Sequence, residues 1–145
     1  MSEVPEGVNL PVFARKTPRP TVTLTLTRDG ENGVEVLLGR RSETMRAFPG
    51  YWAFPGGGVS RSDIEVTRFI SNNSGAQDSA IVAVVREMSE ELGVVPSGNA
   101  LQPVNSSLRE RILTDKKAFL AAISNHEFVS DTSCLRHISS RTTPP

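Results

Sequence analysis

The sequence contains one cysteine, Cys134, so no disulfide can form within it, and a small cross-linked secreted scaffold is excluded. That thiol is expected to be buried or idle. No run approaches the roughly 18 apolar residues needed to cross a bilayer. The opening MSEVPEGV lacks the charged-then-apolar pattern of a secretory signal. Neither sign of charge is in excess, because sixteen Lys and Arg balance sixteen Asp and Glu. There is thus no global field to draw nucleic acid or an anionic membrane. Repeats are absent as well. What is present is 145 residues, 37% hydrophobic and 22% charged, which suits one folded domain and not a disordered chain. A cytoplasmic protein with no nucleic-acid partner is the expectation.

Residues 1–19 are rich in proline and irregular, so they form a lead-in arm. The stretch TVTLTLT (21–27) alternates with period two and predicts a strand. RDGENG (28–33) carries Asp-Gly and Asn-Gly, the signature of a hairpin turn, and VEVLLGRR (34–41) is the returning strand. YWAF (51–54) is a short strand stopped by Pro55. Residues 60–77 are polar with no sustained period and read as an insertion with room for one short helix. Helices are predicted over 78–93, about 107–113 and about 115–123, and the tail from Cys134 starts like a strand. Trp52 is read as a core residue, with stacking on an adenine as the alternative.

DSAIVAVVREMSEELG (78–93) has the strongest helical pattern, with Asp78 as N-cap and Gly93 as a left-handed stop. Ile81, Val84, Val85, Met88 and Leu92 form one apolar stripe. At about 100° per residue, Glu87, Glu90 and Glu91 then share one face. Like charges at that spacing repel by a few tenths of a kcal/mol per pair. A solvated helix face would carry such a cluster. A divalent cation would instead turn the repulsion into ligation, and hard oxygen donors suit Mg²⁺ or Mn²⁺. Upstream, GYWAFPGGGV (50–59) is glycine-rich, but no Gly-Lys-Ser/Thr follows, so a P-loop is excluded. Gly56 to Gly58 let the chain leave the YWAF strand at angles other residues avoid and bring it close beneath the glutamate helix.

Arg86-Glu87-Met88-Ser89-Glu90-Glu91-Leu92-Gly93-Val94 resembles the second half of the Nudix hydrolase signature. Counting back from Arg86 places Asp78 at the signature's first acidic position, whereas counting forward from Gly57 places Asp63 there. Both halves are present with about fifteen residues inserted between them. The segment LLGRRSETMRAFPGYWAFPGG (37–57) is similar to the one preceding the Nudix box in coenzyme A diphosphatases, with Phe48 standing where a histidine is usual. The insertion and the later LRERIL helix look like the peroxisomal-type subgroup and its bacterial relatives. The likeness covers roughly residues 20–143.

That resemblance implies an α/β (α+β) fold, a Nudix-type α/β/α sandwich around a mixed sheet over residues 20–145. It implies Mg²⁺- or Mn²⁺-dependent cleavage of a nucleoside diphosphate linked to another moiety, most closely coenzyme A or an acyl derivative. Glu87, Glu90 and Glu91 would be the metal ligands, and Glu87 and Glu90 the catalytic carboxylates. Arg86 would orient them, with an ordinary i, i+4 pair to Glu90 as the plainer statement of the same contact. Asp63 and Asp78 would support them from behind. Arg40, Arg41 and Arg46, with the backbone at Gly56 and Gly57, are candidates for the substrate's phosphates, since guanidinium forks suit phosphate; solvated surface arginines are the alternative. His126 and His137 show no ligand spacing. An ADP-ribose or dinucleotide hydrolase shares these features, and a non-catalytic binding module is opposed by the intact glutamate triad. Only four or five strands are counted, few for a sheet covered on both faces. The expectation is a shortened form of a longer fold, whose open edge a second copy could fill as a homodimer by exchanging strands.

Overall fold

Eight short strands and four helices make up the chain: β1 (Thr21–Thr23), β2 (Thr27–Gly30), β3 (Gly33–Val36), β4 (Gly39–Arg40), β5 (Trp52–Ala53), β6 (Gly56–Gly58), α1 (Arg61–Val66), α2 (Ser79–Glu87), β7 (Val94–Ser97), β8 (Ala100–Pro103), α3 (Ser106–Thr114) and α4 (Lys116–Ser124), among the described residues. A π-helical turn (Met88–Leu92) continues α2. The computed structural model describes residues 20–45, 48–67, 79–127 and 130–139. The lead-in arm (1–19), residues 68–77 of the insertion, Arg46 and Asp78 lie outside the described residues.

The two long strands expected over 21–27 and 34–41 are each divided, because the extended chain changes partner along its length. Thr21–Thr23 pairs antiparallel with the glycines, Thr21 opposite Gly58 and Thr23 opposite Gly56, and the Leu24 N–H continues the line to the Pro55 carbonyl at 2.8 Å. From Thr27 the chain pairs with β3 instead, and the Leu37 N–H donates to the Leu26 carbonyl at 3.0 Å. Gly39 and Arg40 then turn to β5, opposite Ala53 and Trp52. The hairpin is tighter than its sequence implied. Arg28 and Asp29 join the ladder opposite Glu35 and Val34, which leaves Glu31 and Asn32 as the loop. The glycine run is likewise a strand and not a turn. Helix and strand mix as expected, but the described sheet consists of four antiparallel two-stranded ladders. A single parallel bridge joins Ser97 to Asp131, and the strand expected from Cys134 does not form among the described residues.

The helices hold the core. Val66 of α1, Val82 and Val85 of α2, Val95 of β7, Leu108 and Ile112 of α3, and Phe119, Ala122 and Ile123 of α4 form one buried cluster. Phe119 is wholly buried, and truncating such a ring to Ala costs about 3–5 kcal/mol. α2 packs against β1 and β6 on one side and α1 on another. Its buried arc is therefore wider than the single stripe expected, and takes in Val82, Arg86 and Ser89 as well as Val85 and Met88, while Ile81, Val84 and Leu92 are only partly buried. Trp52 is 66% exposed. The core role expected of it fails because its strand pairs over only two residues, with Trp52 opposite Arg40. Cys134 is exposed, as are His126 and His137.

Local signals account for the helix boundaries. Ser60 caps α1 by accepting the Asp63 N–H, while Asp63 Oδ2 accepts the Ser60 N–H at 2.7 Å, a reciprocal capping box. Asn105 caps α3, and Asp115 ends α3 and caps α4, so both helices fall within a residue of their predicted spans. The β7–β8 hairpin was not anticipated. Its prolines, Pro96 and Pro103, disguise the strands, although Ser-Gly-Asn at 97–99 is a turn signal that could have revealed it.

Candidate active site

Three consecutive glycines of β6 lie along the end of α2, and each meets a different residue of it. A Cβ on Gly57 would fall 2.2 Å from Glu87 Oε1. The Gly56 N–H donates to Glu91 Oε2 at 3.1 Å, and Arg86 Nη2 donates to the Gly58 carbonyl at 2.8 Å. Gly56 has φ +149° and a Cβ there would sit 2.2 Å from the Val22 carbonyl oxygen, so both conformation and space exclude a side chain. The strand approaches the carboxylates as closely as it does because it has no side chains.

Arg86 is the hub. Nε donates to Asp63 Oδ1 at 2.9 Å and Nη2 to Asp63 Oδ2 at 3.2 Å. Nη1 reaches Glu87 Oε1 at 2.9 Å and Glu90 Oε1 at 3.1 Å. Burial works against the guanidinium's charge, yet the Asp63 hydrogen bonds and the neighbouring carboxylates more than offset it and raise the pKa above its ordinary value. The expected orienting contact to Glu90 is present, together with a buried partner on α1. Of the two aspartates competing for the signature's acidic position, Asp63 reaches Arg86, and Asp78 lies outside the described residues.

Glu87 is nearly enclosed, its side chain 12% exposed. Burial raises its pKa, the Arg86 charge lowers it by less, and the charges of Glu90 and Glu91 add to the rise. The helix winds into its π turn at Met88, and Gly93 closes it in the left-handed conformation, φ +70°, returning its N–H to the Met88 carbonyl. On the far side, Arg109 of α3 donates to the Glu90 carbonyl from Nε at 3.1 Å and Nη2 at 2.9 Å, and to the Glu91 carbonyl at 3.1 Å. Nothing in the order of residues singles out Arg109; only the packing of α3 on the π turn brings it there.

Hard carboxylate oxygens on one helix end fit a divalent cation in kind, and each glutamate gives one oxygen to Arg86 or Gly56 while its other remains for a ligand. Among the described residues no three such side chains converge on one point. Two of the arginine candidates lie among the described residues. Arg40 is exposed, and it donates to Glu43 at 2.7 Å and to the Gly50 carbonyl at 3.2 Å. Arg41 is half-buried and exchanges main-chain hydrogen bonds with Tyr51 and Gly50.

A family model described as the NUDIX domain matches residues 17–129. The crystal structure of a NUDIX hydrolase from Alicyclobacillus acidocaldarius aligns with a TM-score of 0.72 at 30% identity, covering 91% of this chain. The chain spans 65% of that protein's length. No curated protein matches it.

Proposed function

The chain belongs to the Nudix family, and on that premise we propose that it hydrolyses the diphosphate bond of a nucleoside diphosphate joined to a second moiety, with Mg²⁺ or Mn²⁺ as cofactor. The observation that carries this reading is the platform at the end of α2. One buried arginine holds Glu87 and Glu90, and the glycine strand lies against Glu87 and Glu91. Glu87, Glu90 and Glu91 would hold the cation, which when bound supplies charge relief at phosphorus and a more acidic water.

The chain's own residues have distinct tasks. Arg86 takes up one oxygen of Glu87 and of Glu90, so each presents its other oxygen outward. Asp63 fixes Arg86 and carries the balancing charge. Gly56 and Gly57, lacking side chains, let the strand lie against Glu87 and Glu91, and their main chain is the part of it offered to a phosphate. Glu87 or Glu90 accepts the proton of the attacking water, at an oxygen that does not ligate the cation. Arg40, Arg41 and Arg46 receive the substrate's remaining phosphates.

Coenzyme A or an acyl derivative is the substrate we favour, supported by the Leu37 to Gly57 segment. The products would be 3′,5′-ADP and a 4′-phosphopantetheine. Incubation with coenzyme A, ADP-ribose and NADH in the presence of Mg²⁺, with the products resolved, tests this. Release of 3′,5′-ADP from coenzyme A alone supports the assignment, and AMP from ADP-ribose or NADH moves it to those dinucleotides. No product from any of them makes this chain a binding module.

A further inference from the structure

Arg86 and the glycine strand hold the site's carboxylates from one side. The main chain beneath two of them is held from the other side by Arg109, half-buried in the first turn of α3. Its Nε and Nη2 converge on the Glu90 carbonyl at 3.1 and 2.9 Å, and Nη2 also reaches the Glu91 carbonyl at 3.1 Å. Carbonyls at a helix end lack main-chain partners. A planar guanidinium satisfies two of them at once and places positive charge at the negative end of the helix dipole.

Met88 and Ser89 anchor the start of the turn in the interior, whereas the end that carries the Glu90 and Glu91 carbonyls meets the fork. A cavity of about 260 Å³ opens beside it, lined in part by Leu92, Gly93, Val104, Ser106 and Leu113. The Arg109 stem nevertheless lies close to Gly93, where a Cβ would fall 3.3 Å from Arg109 Cδ. The Val104 N–H donates to the Gly93 carbonyl at 2.9 Å and anchors the approach to α3 on the same turn. α3 is therefore fastened to the end of the glutamate helix at two points, and one of them is a charged side chain acting on main chain.

We propose that Arg109 is a positioning residue, which by holding the carbonyls of Glu90 and Glu91 sets the pitch of the π turn and thereby the affinity of their carboxylates for a divalent cation. The inference rests on the reading of Glu87, Glu90 and Glu91 as cation donors. Titration of the purified chain with Mn²⁺, with free ion followed by electron paramagnetic resonance, separates the two. The proteins compared are wild type, Arg109→Gln, Arg109→Lys and Glu91→Gln, each checked by thermal melting.

Wild type binds Mn²⁺, Glu91→Gln binds it more weakly, and Arg109→Gln weakens binding about tenfold, the lower end of the loss seen when an outer partner of a ligand is removed. Arg109→Lys retains charge without the fork and recovers part of that loss. If Arg109→Gln melts lower but binds as wild type does, Arg109 is merely structural and the proposal falls, while the donor reading stands on Glu91→Gln. Wild type without Mn²⁺ binding overturns both. Should Arg109→Gln not fold, Arg109→Lys decides: several-fold weaker binding supports the proposal, and unchanged affinity overturns it.

Discussion

Asp63 Oδ1 and Arg86 Nε stand 2.9 Å apart with their side chains 0% and 6% exposed, although they are separated by 23 positions in the chain. This one buried pair closes a motif that the sequence splits. The glycine strand leads into Ser60, and the capping box aligns Asp63 on α1. α1 packs against α2, so the acid returns to the arginine from which the insertion separates it.

Asp63→Ala should therefore destabilise the fold. Removing one partner of a buried pair leaves the other charge uncompensated, at a cost of about 3–5 kcal/mol. The lower end applies here, since Arg86 keeps Glu87 and Glu90. Urea unfolding measures it, and a loss below about 1 kcal/mol, the range of an exposed pair, would show that Asp63 is dispensable.

Gly57→Ala is expected to damage the site more than the fold. The added methyl falls 2.2 Å from Glu87 Oε1, and the flexible end of Glu87 can swing away, leaving Arg86 as it goes. A melting temperature within a few degrees of wild type, with diphosphate hydrolysis reduced at least tenfold, is the expected pair of results. Hydrolysis at the wild-type rate would mean that Glu87 works from another rotamer.

Much of this was legible in the residues. The spans of the later helices and the left-handed stop at Gly93 were readable; the caps at Asn105 and Asp115, which act within one turn of chain, were there to be read but were not named. The acidic end of α2 and the nearness of the glycines to it were also readable. The strands were legible only as extended chain, since their partners are chosen in space. The run beginning at Thr21 pairs first with the glycines and then with β3, and no alternation of side chains encodes that exchange. Trp52 was misread for a related reason, in that aromatic character predicts burial only where another element arrives to cover it. Asp63 and Asp78 were equivalent by counting, and it is the α1–α2 contact that brings Asp63 to Arg86.

Glu91→Gln should abolish cation-dependent hydrolysis while barely altering stability. Glu91 is exposed, and its carboxylate accepts the Gly56 N–H at 3.1 Å, a bond that an amide oxygen can make equally. What the substitution removes is a charged donor of the cation site. Steady-state kinetics across a Mg²⁺ titration measures the effect. Turnover that persists at saturating Mg²⁺ would sink its assignment as a ligand.

Glu87 gives the fold a pH dependence of a definite sign. Burial, opposed in smaller measure by Arg86, raises its folded-state pKa above the unfolded value. The folded state then binds this proton more tightly than the unfolded state does. Its contribution to stability is therefore gained as pH falls through the raised value, and at neutral pH the ionised carboxylate costs the fold free energy. Glu87→Gln removes that cost, and Asp63 and Glu90 still neutralise Arg86. With EDTA present, the melting temperature of Glu87→Gln relative to wild type should be highest near neutral pH. The difference should shrink as pH falls toward about 4, where an ordinary glutamate takes up its proton. Calorimetric melts of both proteins at matched pH would show it. A difference that is constant across the range, or that widens toward acid, would mean that Arg86 outweighs burial at this carboxylate.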